Sequence, residues 1–292
     1  MFQQLGLIGC GLMGGSFALA LKRAGLVKHV VGYSTSPVST ERARQMGVID
    51  VAAATAPQAV SGADIVLLAV PVSATEATFE AIRHLITPDT LIMDVGSTKQ
   101  DVVDAACRVL RDDVGCFVPA HPITGKELSG VEHADGNLYA GKQVILTPIV
   151  PTYAAQLKQA TSLWTALGCE VLQMSPQAHD AAYAAVSHLP HLIAYTLMNS
   201  ISGQDKGANY LSLAGPGFKD FSRIAASDSK MWRDILIANR EELLAQSKIF
   251  QQTLHSLEKL IAADDGDALE RQLEKARQTR TSWHIASQKP HK

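Results

Sequence analysis

Concentrated positive charge is scarce in this chain. No basic tract extends beyond Lys22-Arg23 and the tail from Lys289 to Lys292, and the 292 residues carry a formal net charge of −2. A nucleic-acid partner would need a basic stripe, so that class is set aside. Cysteine is scarce too: Cys10, Cys107, Cys116 and Cys169 form neither a CxxC pair nor a zinc-like cluster, as free thiols in a reducing cytoplasm would read. A long uninterrupted apolar run is also missing. The stretch 5–21 carries five glycines and has no basic segment before it, because Lys22-Arg23 comes after. It is read as neither a signal peptide nor a membrane span, and a cytoplasmic location is expected. There is no internal repeat and no low-complexity tract. What remains is ordinary globular composition, 47% hydrophobic and 18% charged, at a length that suits about two domains.

Through the first half, short β-branched runs alternate with helix-length segments, the pattern of βαβ units on a parallel sheet. Residues 5–8 read as the first strand and 30–33 as the second. Runs at 65–70, 91–95, 116–119 and 144–147 are apolar without alternation, as strands buried on both faces require. Helices are predicted near 14–24, 40–46, 74–86 and 99–110, then one more helix near 153–167 and a strand near 170–173. Ser175-Pro176, an N-cap followed by Pro at the first helical position, opens a half that reads as entirely helical. One long helix is predicted from Pro176 to about Ser202 and another from about Ser229 to Ile261. In the latter, Trp232, Leu236, Leu243, Phe250, Leu254, Leu257 and Ile261 form one apolar face. Without a sheet to cover it, that face is expected to bury against a second copy of the chain; a self-contained bundle is the alternative. The expected fold is an α/β Rossmann-type parallel-sheet domain over 1–174 followed by an all-α dimerisation domain over 175–292.

Gly9-Cys10-Gly11-Leu12-Met13-Gly14 is a GxGxxG turn placed directly after a strand and opening a helix. Gly9 makes the tight turn, Gly11 admits a pyrophosphate to the backbone, and Gly14 lets the helix pack on the sheet. The helix N-terminus, with Leu12 and Met13, offers unpaired N–H groups to the phosphates. A dinucleotide is therefore expected, with Val70-Pro71 at the third strand end also against it. Near the end of the second strand, an NAD enzyme usually carries an acid for the ribose hydroxyls. Here Ser34, Thr35 and Ser36 stand in that place, with Arg42 and Arg44 on the following helix. Hydroxyls can donate to a 2′-phosphate that a carboxylate would repel, so NADP is expected to be accepted and preferred, with NAD usable.

Strand C-termini are where an open α/β sheet places its ligands. Asp94-Val95-Gly96-Ser97-Thr98-Lys99 follows one such strand, so Ser97 and Lys99 are candidates, with a helix N-cap the alternative for Ser97. His121-Pro122-Ile123-Thr124-Gly125 follows the next. A histidine beside the nicotinamide crevice can deprotonate a hydroxyl as hydride leaves its carbon, and an unperturbed pKa of roughly 6.5 suits that role. In the helical half, Ser187-His188-Leu189-Pro190-His191 places two histidines three residues apart, a spacing that could share one helix face, although Pro190 distorts it. No acidic or thiol ligand accompanies them, so no metal is expected. Arg223 lies among apolar neighbours in Phe218–Ala225 and calls for a fixed anionic partner, from the protein or from a substrate carboxylate.

Together these segments resemble the prephenate dehydrogenase family, which includes arogenate and broad cyclohexadienyl dehydrogenases. The resemblance rests on Gly9–Ser16, Asp94–Lys99, His121–Gly130, Leu138–Pro148, Ser187–His191 and Gly215–Ile235, in order along residues 5 to about 240. Ser34 departs from the Asp of many NAD-using members. The resemblance implies oxidative decarboxylation of prephenate by NAD(P)+ to 4-hydroxyphenylpyruvate and CO2, on the route to tyrosine, with arogenate as a further substrate. It implies that His121 is the general base, supported by Ser97, and that Arg223 grips a carboxylate. It also implies that His191, with Ser187 and His188, lies near the substrate or nicotinamide. The alternatives are a hydroxyacid-type dehydrogenase, which would normally show a lysine motif in the helical half, and a non-catalytic NAD(P)-sensing dimer. Neither a mutase domain nor a regulatory domain is expected.

Overall fold

A computed structural model describes residues 1–125 and 128–283 of the chain. Its first half is a six-stranded sheet, all parallel, in the order β3-β2-β1-β4-β5-β6. The strands are β1 (Phe2–Ile8), β2 (Val27–Tyr33), β3 (Val51–Ala52), β4 (Ile65–Leu68), β5 (Leu91–Asp94) and β6 (Phe117–Val118). The order reverses between β1 and β4, which opens a crevice at their C-terminal ends. Helices α1 (Leu12–Arg23), α2 (Pro37–Gln45), α3 (Ala56–Val60), α4 (Thr75–Ile82) and α5 (Gln100–Leu110) provide the crossovers and cover the sheet. The short β3 and α3 are additions to the predicted elements, too brief to show a period.

The last predicted strands do not extend the parallel sheet. β7 (Ala120–Pro122), β8 (Gln143–Leu146) and β9 (Glu170–Gln173) form a separate three-stranded sheet, with β7 antiparallel to β8 and β8 parallel to β9. The predicted strand at 116–119 thus splits at Pro119, which donates no ladder hydrogen bond. Its first part closes one sheet and the residues after it start the other. Between the two sheets, α6 (Ala154–Ala166) brings Trp164 against Phe17 and Tyr139, with ring centroids 5.0 and 5.2 Å away. The Tyr139 hydroxyl donates to the Met13 carbonyl at 2.7 Å, fastening the second sheet to the start of α1.

From Pro176 onward the described chain is helical. The first long helix is one run in three parts: α7 (Pro176–Tyr183), a π-helical turn at Ala184–His188, and α8 (Leu189–Ser202). Pro190 lacks the N–H that a regular helix would present four residues back, and the widened turn absorbs that loss. After α9 (Gly207–Ser212) and α10 (Pro216–Ser222), the second long helix is interrupted at Asn239, giving α11 (Ser229–Ala238) and α12 (Arg240–Ala262). A further helix, α13 (Gly266–Ser282), is strongly polar and carries no buried residue, which is why no apolar period announced it. On α11 and α12 the predicted stripe divides. Trp232 and Leu243 are buried, whereas Phe250, Leu254 and Ile261 stand exposed on the single chain. None of the described helices is long and apolar enough to cross a membrane.

Candidate active site

β1 ends at Ile8 and α1 begins at Leu12, so the chain reverses within three residues. Gly9 does this at φ 100°, and a side chain there would collide with the Ala69 carbonyl oxygen. A side chain at Gly14 would strike the Gly9 carbonyl oxygen, so α1 can approach the sheet only as glycine. Gly11 is the opposite case: nothing lies within 4 Å of where its Cβ would stand. Two glycines seal the turn and one leaves it open, next to the free N–H groups of α1. That space suits a pyrophosphate. Gly11, Leu12, Met13, Val70 and Pro71 all line one cavity of about 600 Å³.

At the end of β2, the Ser34 hydroxyl oxygen accepts the Cys10 N–H at 2.8 Å, and the Ser34 N–H donates to Thr40 Oγ1 at 3.0 Å. Thr35 is exposed, and Ser36 caps α2 by accepting the Ser39 N–H at 3.3 Å. No carboxylate occupies 34–39. Arg44 is bound to Glu41 through two nitrogens, while Arg42 is exposed.

The same cavity receives residues from the far side. Ser97 lines it and is not a helix cap: α5 starts later, and its first N–H groups, those of Lys99 and Gln100, are accepted by Asp180 of α7. Lys99 does not face the cavity. Its ammonium is fully buried, donating to Asp94 and to the Ala120 carbonyl at 2.8 Å. This brace fixes the residue preceding His121. His121 lies within β7, opposite Ile145, rather than in a loop after a strand. Its Nδ1 is 2.8 Å from His179 Nε2, and His179 Nδ1 is 2.7 Å from Asp180 Oδ1. The ring also packs on Tyr183 at 4.9 Å. Burial first, then the neighbouring His179 imidazole, the Lys99 ammonium and His188, holds the His121 pKa well below the ordinary imidazole value. His121 is thus a neutral imidazole at neutral pH, with one ring nitrogen left as an acceptor. Burial also lowers His179 against the pull of Asp180. For Asp180 burial acts upward, but His179 and the two backbone donors outweigh it and keep the carboxyl low.

The wide turn ends at His188, and His188 and His191 both pack on Trp232, with ring centroids 6.1 and 3.4 Å away. His191 lines the cavity with Ser187; its Nδ1 donates to the Ser187 carbonyl at 2.9 Å and its ring stacks on Trp232 at 3.4 Å. Contrary to the expectation of a substrate contact, His188 is not among the residues lining the cavity but is buried just behind them, against Trp232 and Ser97. It is 1% exposed, its Nδ1 meets the Asn239 amide at 3.1 Å, and burial drives its pKa down to about 4. Arg223 is exposed in the turn Arg223–Ala226 and does not line the cavity. It stands at the rim: Ile224 is a wall residue, and the His191 pKa is lowered by burial first and then by the guanidinium charge, against the pull of the Ser187 carbonyl. In the segment His121–Gly130, Lys126 and Glu127 lie outside the described residues.

The residues that sequence reasoning missed are His179, Asp180, Tyr183 and Asn239. His179 and Asp180 are both buried polar groups on α7, and no motif marks them; an ionisable pair on an inward helix face is the one available signal.

The fold and this cavity have counterparts. The model of the prephenate dehydrogenase nucleotide-binding domain matches residues 17–173, and that of the prephenate dehydrogenase dimerization domain matches residues 175–275. A cyclohexadienyl dehydrogenase of Zymomonas mobilis is 34% identical over 273 residues, 92% of each chain. The structure of Aquifex aeolicus prephenate dehydrogenase with hydroxyphenyl propionate and NAD+ superposes with a TM-score of 0.91 at 35% identity, covering 96% of this chain and 98% of that one. A Synechocystis arogenate dehydrogenase follows at TM-score 0.82 and 27% identity, over 97% of this chain and all of the other. With both halves matched and the glycine turn facing a histidine across one cavity, the chain belongs to the prephenate dehydrogenase family of nicotinamide-dependent oxidoreductases.

Proposed function

We propose that this protein oxidatively decarboxylates prephenate to 4-hydroxyphenylpyruvate with NAD(P)+, its 1–174 half holding the cofactor and its 175–292 half completing the substrate pocket and the dimer. The observation that carries this reading is that His121 and Ser97 share one cavity with the open side of the glycine turn. The bound nicotinamide would supply the hydride acceptor. His121 takes the proton of the ring hydroxyl, and the Ser97 hydroxyl steadies the same oxygen. General-base assistance of this kind is worth on the order of 10²–10⁴ in rate. Loss of the ring carboxylate as CO2 then makes the ring aromatic. His191 and Ser187 border the side chain, and Arg223 at the rim binds a carboxylate.

NADP preference is the finer part of this reading. It is supported by the absence of a carboxylate over 34–39, and by the engagement of Ser34 Oγ as an acceptor, which leaves its proton for a phosphate oxygen. Arogenate is the second substrate to weigh. Asp228 and Asp234 line the helical side of the cavity, where an ammonium would be better received than a keto oxygen. Apolar side chains exposed on α12, Phe250, Leu254 and Ile261 among them, support a homodimer. The free buried thiols of Cys10, Cys116 and Cys169 suit the cytoplasm.

The test is a table of kcat/KM for prephenate and arogenate against NAD+ and NADP+, run with His121→Asn and Arg223→Ala. His121→Asn should lose most of kcat with cofactor binding intact. Arg223→Ala should raise KM for prephenate by about 10- to 150-fold, the equivalent of about 1.5–3 kcal/mol for a charged hydrogen bond. Wild-type turnover of prephenate by His121→Asn would refute the assignment.

A further inference from the structure

Behind the cavity wall, two imidazoles and a carboxylate stand in a row, from His121 through His179 to Asp180. The protons in this row have one consistent arrangement. Asp180 accepts the Lys99 N–H on one oxygen at 2.9 Å and the Gln100 N–H on the other at 2.8 Å. Both donors open the eleven-residue α5, whose N-terminal end favours negative charge. A carboxylate so held is an acceptor only. The Nδ1 of His179 therefore carries its proton, and the neutral ring keeps its lone pair on Nε2. His121 Nδ1, facing that lone pair, must donate. Its own lone pair is then left on Nε2. The opposite tautomer would set two lone pairs against each other.

We infer that Asp180 and His179 are positioning residues that lock His121 in the Nδ1–H tautomer and turn a basic Nε2 toward the substrate hydroxyl. This rests on the reading of His121 as the base. As the C–H electron pair leaves the ring carbon as hydride for the oxidised nicotinamide, the O–H proton passes to His121 Nε2. The Nδ1–H stays bonded to His179, and the Asp180 charge offsets the imidazolium through it. When the C–CO2 bond breaks and its electron pair enters the ring, the resulting phenolate oxygen recovers the same proton. His121 is faced by Lys99 from the segment between β5 and α5, with Asp94 at the end of β5. It is also faced by His179, Asp180 and Tyr183 from α7, and by His188 from the π-helical turn. Within this set Asp180 is the carboxylate joined to His121 through a single ring.

Nitrogen NMR of histidine-labelled enzyme reads the tautomer without turnover. His121, identified by loss of its signals in His121→Asn, should be protonated at Nδ1 and bare at Nε2 near neutral pH; the reverse pattern overturns the inference. In kinetics, His179→Leu should lose about 10- to 100-fold in kcat with little change in KM. His179→Gln, whose amide oxygen can accept from Nδ1, should recover most of it. Asp180→Asn should move the acid limb of the kcat/KM profile to lower pH, because the imidazolium loses its counter-charge. Equal losses in His179→Leu and His179→Gln, or an unmoved acid limb, would also overturn it. If instead His121→Asn itself turns prephenate over normally, it is the functional reading that fails.

Discussion

Ser73 and Asp234 are joined across the cavity mouth by a 2.6 Å hydrogen bond, the serine hydroxyl donating to the carboxylate. Ser73 follows Val70-Pro71 on the nucleotide-binding half and Asp234 lies on α11, so the bond spans two halves that share the pocket. Both partners are near the surface, where such a bond contributes little to folding. Its effect should fall on closure. Ser73→Ala is expected to leave the melting temperature nearly unchanged while raising the KM for prephenate several-fold; thermal melts and steady-state kinetics on one preparation check both.

The glycine turn makes opposite predictions for two neighbours. Gly11→Ala puts a methyl group into open space at an ordinary φ of −82°, so the protein should fold and melt like the wild type. That methyl stands where the pyrophosphate approaches, so the KM for cofactor should rise by about tenfold or more, a loss of about 1.4 kcal/mol. Gly14→Ala has no such space and should destabilise by about 1–3 kcal/mol through overpacking. Urea unfolding alongside cofactor titration separates the two.

His188 makes stability depend on acid. Its folded pKa of about 4 lies below the unfolded value of about 6.5, so the unfolded chain binds the proton first as pH falls. The stabilisation is complete above about pH 6.5 and is lost progressively down to about pH 4, on the order of 3 kcal/mol in all. His188→Asn, which keeps an acceptor for the Asn239 amide, should flatten that part of the stability profile. Denaturant melts at half-unit pH steps measure it, and an unchanged slope would count against the assignment.

The parallel sheet and the glycine turn were legible in the sequence, and Ser97, His121 and His191, singled out there as candidates, all line the one cavity, because each sits near a strand end or in a short local motif. Other features were not legible. The strand at 116–119 looked continuous, since periodicity cannot show that Pro119 sends its two ends to different sheets. Spacing alone also did not show that His191 would line the cavity while His188 is buried against Asn239. The Asp180–His179 row was hidden, as it depends on α7 meeting the start of α5, a contact 80 residues apart along the chain.

Leu254, exposed on α12 with Phe250 and Ile261, tests the assembly. Leu254→Asp should shift the protein from dimer toward monomer in light scattering or sedimentation. A dimer that persists at low micromolar concentration would place the interface elsewhere.

The π-helical turn at Ala184–His188 has a consequence for how the pocket tolerates length changes. Such a turn holds one residue more than a regular turn, and one residue is worth about 100° of rotation around a helix axis. Deleting a single residue there would restore an unbroken ladder and cost the fold little. Because the wide turn takes up its extra residue locally, α8 would keep its phase and His191 its place on Trp232, and the change would fall on the turn itself, which carries the cavity-lining Ser187. The extra residue is thus a local displacement, and shortening the helix by one position would re-aim Ser187 while leaving the rest of the helix in register.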